Sequence, residues 1–170
     1  MRAKAAVSLA LILSVLGVAW ASGFEEELSS RRSVLFVEGQ ELDGLVLGAR
    51  ARMDLVKLDA DFVSRWAERL KEFPELDWAS SEVFGKRGKA LVLVKLLTYK
   101  PFPFEPERFS VDGRPAERIL WPMGLKPPAE IASRQELVLG LVVDLPKGKR
   151  AQELKVAYGE YAEREQRGVR

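Results

Sequence analysis

Hydrophobic and polar positions obey three different rules along this chain. From Ala5 to Trp20 there is no charge, and most positions are Ala, Leu, Val or Ile. From Leu45 to Leu55 the pattern alternates. Leu45, Leu47, Ala49, Ala51, Met53 and Leu55 fall on one side, with Arg50, Arg52 and Asp54 on the other. A period of two predicts a strand with one buried face. The period then lengthens: Phe62, Trp66, Leu70 and Phe73 recur at spacings of four, four and three, with Arg65, Glu68, Arg69, Lys71 and Glu72 on the opposite side. That stripe predicts an amphipathic helix over 59–73, packed through its four large side chains. Asp59 or Asp61 can cap its start, and Pro74 ends it. Glu75 to Ser81 leaves room for one more turn around Trp78.

Beyond this point the signals are those of strands and turns. Ser33 to Val37 reads as a short strand. Ala90 to Tyr99 is apolar except at Lys95 and Thr98, which suits a central strand covered on both faces. Prolines 101, 103 and 106 then impose an extended loop. Phe109 to Val111 and Ala116 to Trp121 flank an Asp112-Gly113 turn, the signature of a hairpin. Glu136 to Asp144 puts Leu137, Leu139, Leu141 and Val143 on one face. After the Pro146-Lys147-Gly148 turn, Gln152 to Tyr158 alternates again. Short strands punctuated by turns, with one helix among them, predict a mainly β chain folded as a β-sandwich. The domain spans 33–158, preceded by a flexible lead-in at 22–32 and followed by a charged tail at 159–170.

The apolar N-terminus changes where such a domain is expected to work. Arg2 and Lys4 precede the uncharged run, and Ala19-Trp20-Ala21 supplies a small-x-small cleavage site before Ser22. The order predicts a bacterial-type signal peptide over 1–21 and an exported protein, periplasmic or extracellular. The run falls short of the roughly 20 residues that cross a bilayer comfortably; left uncleaved, it is the chain's one route to a membrane. Cleavage removes two of the 27 basic residues and leaves 25 against 25 acidic. A neutral domain is not expected to bind nucleic acid.

Composition then restricts the chemistry. The sequence holds no His, no Cys and no Asn. Zinc, blue-copper and haem sites lose their usual ligands. Cysteine nucleophiles and Ser-His-Asp triads are impossible, and no disulfide framework exists. Abundant Arg, Glu, Lys and Leu beside few amides resemble the composition of heat-adapted proteins.

The stretch from Ala90 to Tyr158 resembles the small immunoglobulin-like domains of unknown function found in bacterial exported proteins and lipoproteins. The resemblance rests on a long apolar strand, the Phe109-Ser110-Val111-Asp112-Gly113 hairpin, the Leu141-Val142-Val143-Asp144-Leu145-Pro146-Lys147-Gly148 segment, and the Leu154 to Tyr158 strand. It departs from the family at the helix over 59–73, which stands where a short loop is usual. Ala132-Ser133-Arg134 also replaces a Pro-Gly. The resemblance implies an immunoglobulin-like sandwich and interaction or scaffolding at the cell envelope, with no enzymatic activity.

Among individual residues, Phe102, Phe104 and Trp121 are the candidate partner contacts. Phe102 and Phe104 project to one side of a proline-stiffened loop, and either dock a partner or plug the end of the sandwich. Trp121 ends a strand beside Pro122, where an indole can stack on a sugar. The favoured reading is a non-enzymatic binding or structural module whose partner is an envelope protein or a glycan. The alternative is a glycan-binding domain or a cofactor-free hydrolase working through carboxylates. The local pairs Asp59/Asp61 and Glu75/Asp77 read as helix caps and solvated charge, since a glycosidase needs two carboxyls across a cleft. No catalytic residue, metal or cofactor is called for.

Overall fold

A computed structural model describes residues 23–43, 45–124 and 127–165. The chain divides into two compact units, Met1–Ser30 and Arg31–Arg170. In the first, residues 23–30 are helical (α1) rather than an irregular lead-in. The leader over 1–21 lies outside the described residues. Among the described residues no helix is long and apolar enough to cross a membrane.

The second unit is mainly β. Its elements are β1 (Arg32–Val37), β2 (Gln40–Leu42), β3 (Leu45–Leu47), β4 (Ala51–Asp59), α2 (Ala60–Leu70), α3 (Pro74–Val83), β5 (Lys89–Thr98), β6 (Phe102–Pro103) and β7 (Phe109–Val111). β8 (Arg114–Pro115), β9 (Arg118–Leu120), β10 (Glu130–Ile131), β11 (Glu136–Asp144), β12 (Val156–Tyr158), β13 (Tyr161–Ala162) and β14 (Arg164–Glu165) complete it. A six-stranded sheet runs in the order β14-β1-β4-β5-β11-β9, a four-stranded sheet in the order β13-β12-β7-β8, and two-stranded pairs join β10 to β6 and β2 to β3. Every pairing is antiparallel.

The strand period decides which side chains meet. Along β4 and β5, Ala51, Met53, Leu55, Ala90, Val92, Val94 and Leu96 face inward, joined by Leu139, Leu141 and Val143 of β11. Opposite them stand Phe109, Val111, Val156 and Tyr158 of the four-stranded sheet, with Phe102, Phe104 and Ile131 beside them. The core therefore fills the space between two antiparallel sheets, as a β-sandwich requires. Each such large side chain contributes about 1.5–3 kcal/mol when fully buried. The outer face of the six-stranded sheet is covered by α2 and α3, which lie against β4 and β5. Leu58, Leu91 and Leu93 are buried on that face. β5 is thus covered on both sides, which is why its sequence reads as an almost unbroken apolar run.

The structure corrects several sequence expectations. The alternation from Leu45 to Leu55 is not one strand. Gly48, at φ 75°, bends the chain out of β3 before β4 begins. Asp59 caps α2, its carboxylate accepting the Phe62 N–H at 2.9 Å. Phe62 and Leu70 are buried as expected, but Trp66 and Phe73 are only half-buried. Trp66 has left helical geometry (φ −115°, ψ 19°), so the stripe loses its phase there. α2 stops at Leu70, short of the expected end at Phe73, and Pro74 opens the ten-residue α3 instead of ending α2, because proline at N1 lacks only a donor that has no helical partner. The Asp112-Gly113 turn joins β7 to β8, whereas β9 crosses to β11 of the other sheet. Residues 159–165, expected in a tail, form β13 and β14, which link the two sheets.

Candidate binding surfaces

Phe102 and Phe104 do project to the same side, and that side is the core. They are 2% and 3% exposed. β6 holds them by pairing Phe102 with Ile131 and Pro103 with Glu130. Their rings lie 6.1 Å apart, and both approach Tyr158, at 5.8 Å and 6.2 Å. Phe109 closes the cluster, 4.9 Å from Tyr158. The Tyr158 hydroxyl accepts the Glu105 N–H at 3.0 Å, and burial pushes it above the ordinary tyrosine value. The geometry favours plugging over docking for this pair: a large aromatic gains most by burial, and the pairing of Phe102 with Ile131 and the bond from the Phe104 N–H to the Ala129 carbonyl hold both rings on the inward side.

Trp121 is half-buried, edge-on to Phe104 at 6.3 Å between centroids. It lines a hollow of about 520 Å³ with Pro106, Ile119, Pro127 and Pro128. The polar rim consists of Glu107, Glu117 and Arg118. Two of these are engaged already: Glu117 with Lys89, and Arg118 with Glu82 at 3.1 Å. An aromatic at the mouth of a proline-walled hollow suits a sugar face or another flat apolar group.

Among the described residues, three of the five exposed large apolar side chains lie elsewhere, close together. β2 and β3 form a two-stranded ribbon at the far end of the β1–β4 hairpin, pairing Leu42 with Leu45 and Gln40 with Leu47. Residues opposite each other across a ladder share a face, as do residues two apart along a strand. Leu42, Leu45 and Leu47 therefore stand on one face, exposed by 57%, 67% and 54%. The ribbon leaves β1 through left-handed residues Glu38 (φ 60°) and Gly39 (φ 92°) and re-enters β4 through Gly48. Gly39 is required there, since a Cβ would come within 2.8 Å of Val46. Arg50 clamps the base, reaching Glu38 at 2.8 Å and the Pro101 carbonyl at 2.9 Å. Arg164 pairs with Glu41. Sequence reasoning missed this surface by reading its leucines into one long strand. The Asp43-Gly44 dipeptide was the signal that could have revealed a hairpin.

The carboxylates singled out in the sequence serve the fold. Asp59 caps α2, accepts the Ala151 N–H at 3.3 Å and pairs with Arg31 at 3.0 Å. Asp61 is exposed in the first turn of α2, and Glu75 and Asp77 lie in the first turn of α3. Asp54, Glu72 and Glu75 do line a common hollow of about 500 Å³ on the outer sheet face. Each is paired with a cation: Asp54 with Arg52 at 2.7 Å, Glu72 with Arg69 at 2.6 Å and Glu75 with Lys95 at 3.4 Å. Among the described residues no three acidic side chains converge as a metal site would need.

No family model, curated protein or solved structure matches the chain.

Proposed function

We propose that this chain is an exported, non-enzymatic binding module of the bacterial cell envelope, built on an immunoglobulin-like sandwich, and that it docks an envelope protein through the leucine face of the β2–β3 ribbon. The observation that carries the reading is the exposure of Leu42, Leu45 and Leu47 together. Single exposed leucines are ordinary, whereas three on one face of a clamped ribbon form a contiguous apolar patch. A face of three leucines is too small for a stable pair of identical copies, which would bury about 1,200–2,000 Å² in total. It suits insertion into a groove of a larger protein. Export is supported by the order of Arg2, Lys4, the uncharged run and Ala19-Trp20-Ala21. The exported form should begin at Ser22 by N-terminal sequencing.

The reading is tested by placing a photo-crosslinking residue at Leu45 in the producing bacterium, and at exposed Glu107 as a control. A discrete envelope-protein adduct from position 45 alone is the expected result. Equal adducts from both positions, or none, would contradict it.

A second reading, glycan binding, is favoured by the position of Trp121 at the mouth of its hollow. Quenching or enhancement of Trp121 fluorescence by cell-wall sugars, abolished in Trp121→Ala, is its test.

A further inference from the structure

The six-stranded sheet is closed unevenly at its β9 edge. β9 pairs only Arg118, Ile119 and Leu120 with Val142, Leu141 and Gly140. β11 continues to Glu136, fully paired with β5 on its other side. Among the described residues, Glu136 to Leu139 thus have a strand neighbour on one side alone. The reason is Pro122: it falls where β9 would reach Val138, and proline brings no N–H to a ladder. The chain turns away there in the 3₁₀ turn Pro122–Gly124.

The direction of the backbone groups follows from the observed bonds. Toward β5, the Gln135 carbonyl accepts from Thr98 at 3.0 Å and the Leu145 N–H donates to Gly88 at 2.8 Å. Toward β9, the Val142 carbonyl accepts from Glu117 at 2.9 Å. Backbone groups alternate in direction along a strand. Odd-numbered residues of β11 therefore address β5, and Val138 turns its N–H and C=O to the open side.

Beside this edge, on the helix-covered face, lies an apolar hollow of about 430 Å³ lined by Pro74, Trp78, Pro122, Leu137 and Val138. Trp78 reaches over β11 beside Gly140, where a Cβ would lie in ordinary contact with the indole at 3.5 Å and crowd Leu91 at 3.2 Å. Glu75 and Glu136 also line the hollow. They share a single cation, Lys95, at 3.4 Å and 3.2 Å. The site thus offers a free backbone donor and acceptor, an apolar seat, and one net negative charge.

We propose that this edge takes up an extended segment of a partner protein by strand addition, with an apolar side chain seated against Trp78 and a Lys or Arg two residues away facing Glu75 and Glu136. Strand addition draws affinity from main-chain hydrogen bonds and selectivity from alternate side chains. The spacing of two follows from the position of Glu136 two residues from Val138, on the same face of the strand. The site is separate from the leucine ribbon and stands or falls independently of it.

The test titrates the ¹⁵N-labelled protein with the acetylated, amidated peptide Thr-Val-Thr-Lys-Thr. Amide shifts should concentrate at Glu136 to Leu139 and at the Trp78 indole. The same peptide N-methylated at alternate residues keeps its side chains but loses strand pairing, and should bind at least about tenfold more weakly, the scale of one lost hydrogen bond. Glu75→Gln with Glu136→Gln should weaken the lysine peptide while leaving Thr-Val-Thr-Thr-Thr unchanged. Equal binding of the N-methylated peptide, or shifts that spare β11, would overturn the proposal.

Discussion

Lys57 Nζ lies 2.7 Å from Glu163 Oε1, and the two side chains are only 5% and 6% exposed. Lys57 points inward from the end of β4, in line with Met53 and Leu55, and also donates to the Leu154 carbonyl at 2.7 Å. Glu163 sits between β13 and β14, where the chain passes from the four-stranded to the six-stranded sheet, and accepts from the Ser33 hydroxyl as well. The pair fastens that crossing to the core.

Removing one partner of a buried pair leaves an uncompensated charge and costs about 3–5 kcal/mol. Glu163→Ala should lower the free energy of unfolding by that amount in urea denaturation. Replacing both residues by apolar ones, Lys57→Met with Glu163→Leu, should recover most of the loss. A single-variant cost near that of an ordinary surface change, within about 0.5 kcal/mol, would show that the crossing is held by other means.

Asp59 governs the acid response at the start of α2. Its burial works to raise the carboxyl, but the Phe62 N–H, the Arg31 guanidinium and the Ala151 N–H outweigh it and hold the group below its ordinary value. With a depressed folded pKa, the stabilisation is complete above the unfolded value of about 3.9. It is lost as pH falls through the lower folded value. Asp59→Asn keeps a capping acceptor and removes the charge opposite Arg31. Unfolding free energy against pH should be flatter for this variant below about pH 4; parallel curves would assign the acid sensitivity to other carboxylates.

Phe102 and Phe104 divide the plugging role from the docking role cleanly. Phe104→Ala should cost about 3–5 kcal/mol, as for other large buried aromatics. Thermal melts of Phe102→Ser with Phe104→Ser should show a fold weakened by several kcal/mol. Melting within about 1 kcal/mol of the parent, as at ordinary surface positions, would mean that the rings are not part of the core.

How much of this was legible in the sequence depended on the range of each interaction. β5 and β11 could be read because burial is written into their own residues: continuous apolarity in one, alternation in the other. The Asp59 cap could be read because its partner, Phe62, is three residues away. The break at Gly48 was masked because Leu45 and Leu47 carry the same parity as Met53 and Leu55, although they face solvent. β9 was misplaced because a three-residue strand does not say which sheet it joins. Lys57 and Glu163 left no local trace, being 106 residues apart. The open edge at Val138 follows from one proline against one strand, and needs the register to be seen.

The leucine ribbon carries the account, and the most direct measurement is on Leu42→Ser, Leu45→Ser and Leu47→Ser combined. Because all three side chains are already exposed, unfolding free energy should change by less than about 1 kcal/mol, as at surface sites. In fractionated cells of the producing bacterium, the exported variant should lose its association with envelope protein while the parent keeps it. A variant that unfolds readily would make the ribbon structural, and a stable variant that still co-purifies with its partner would contradict docking through this face.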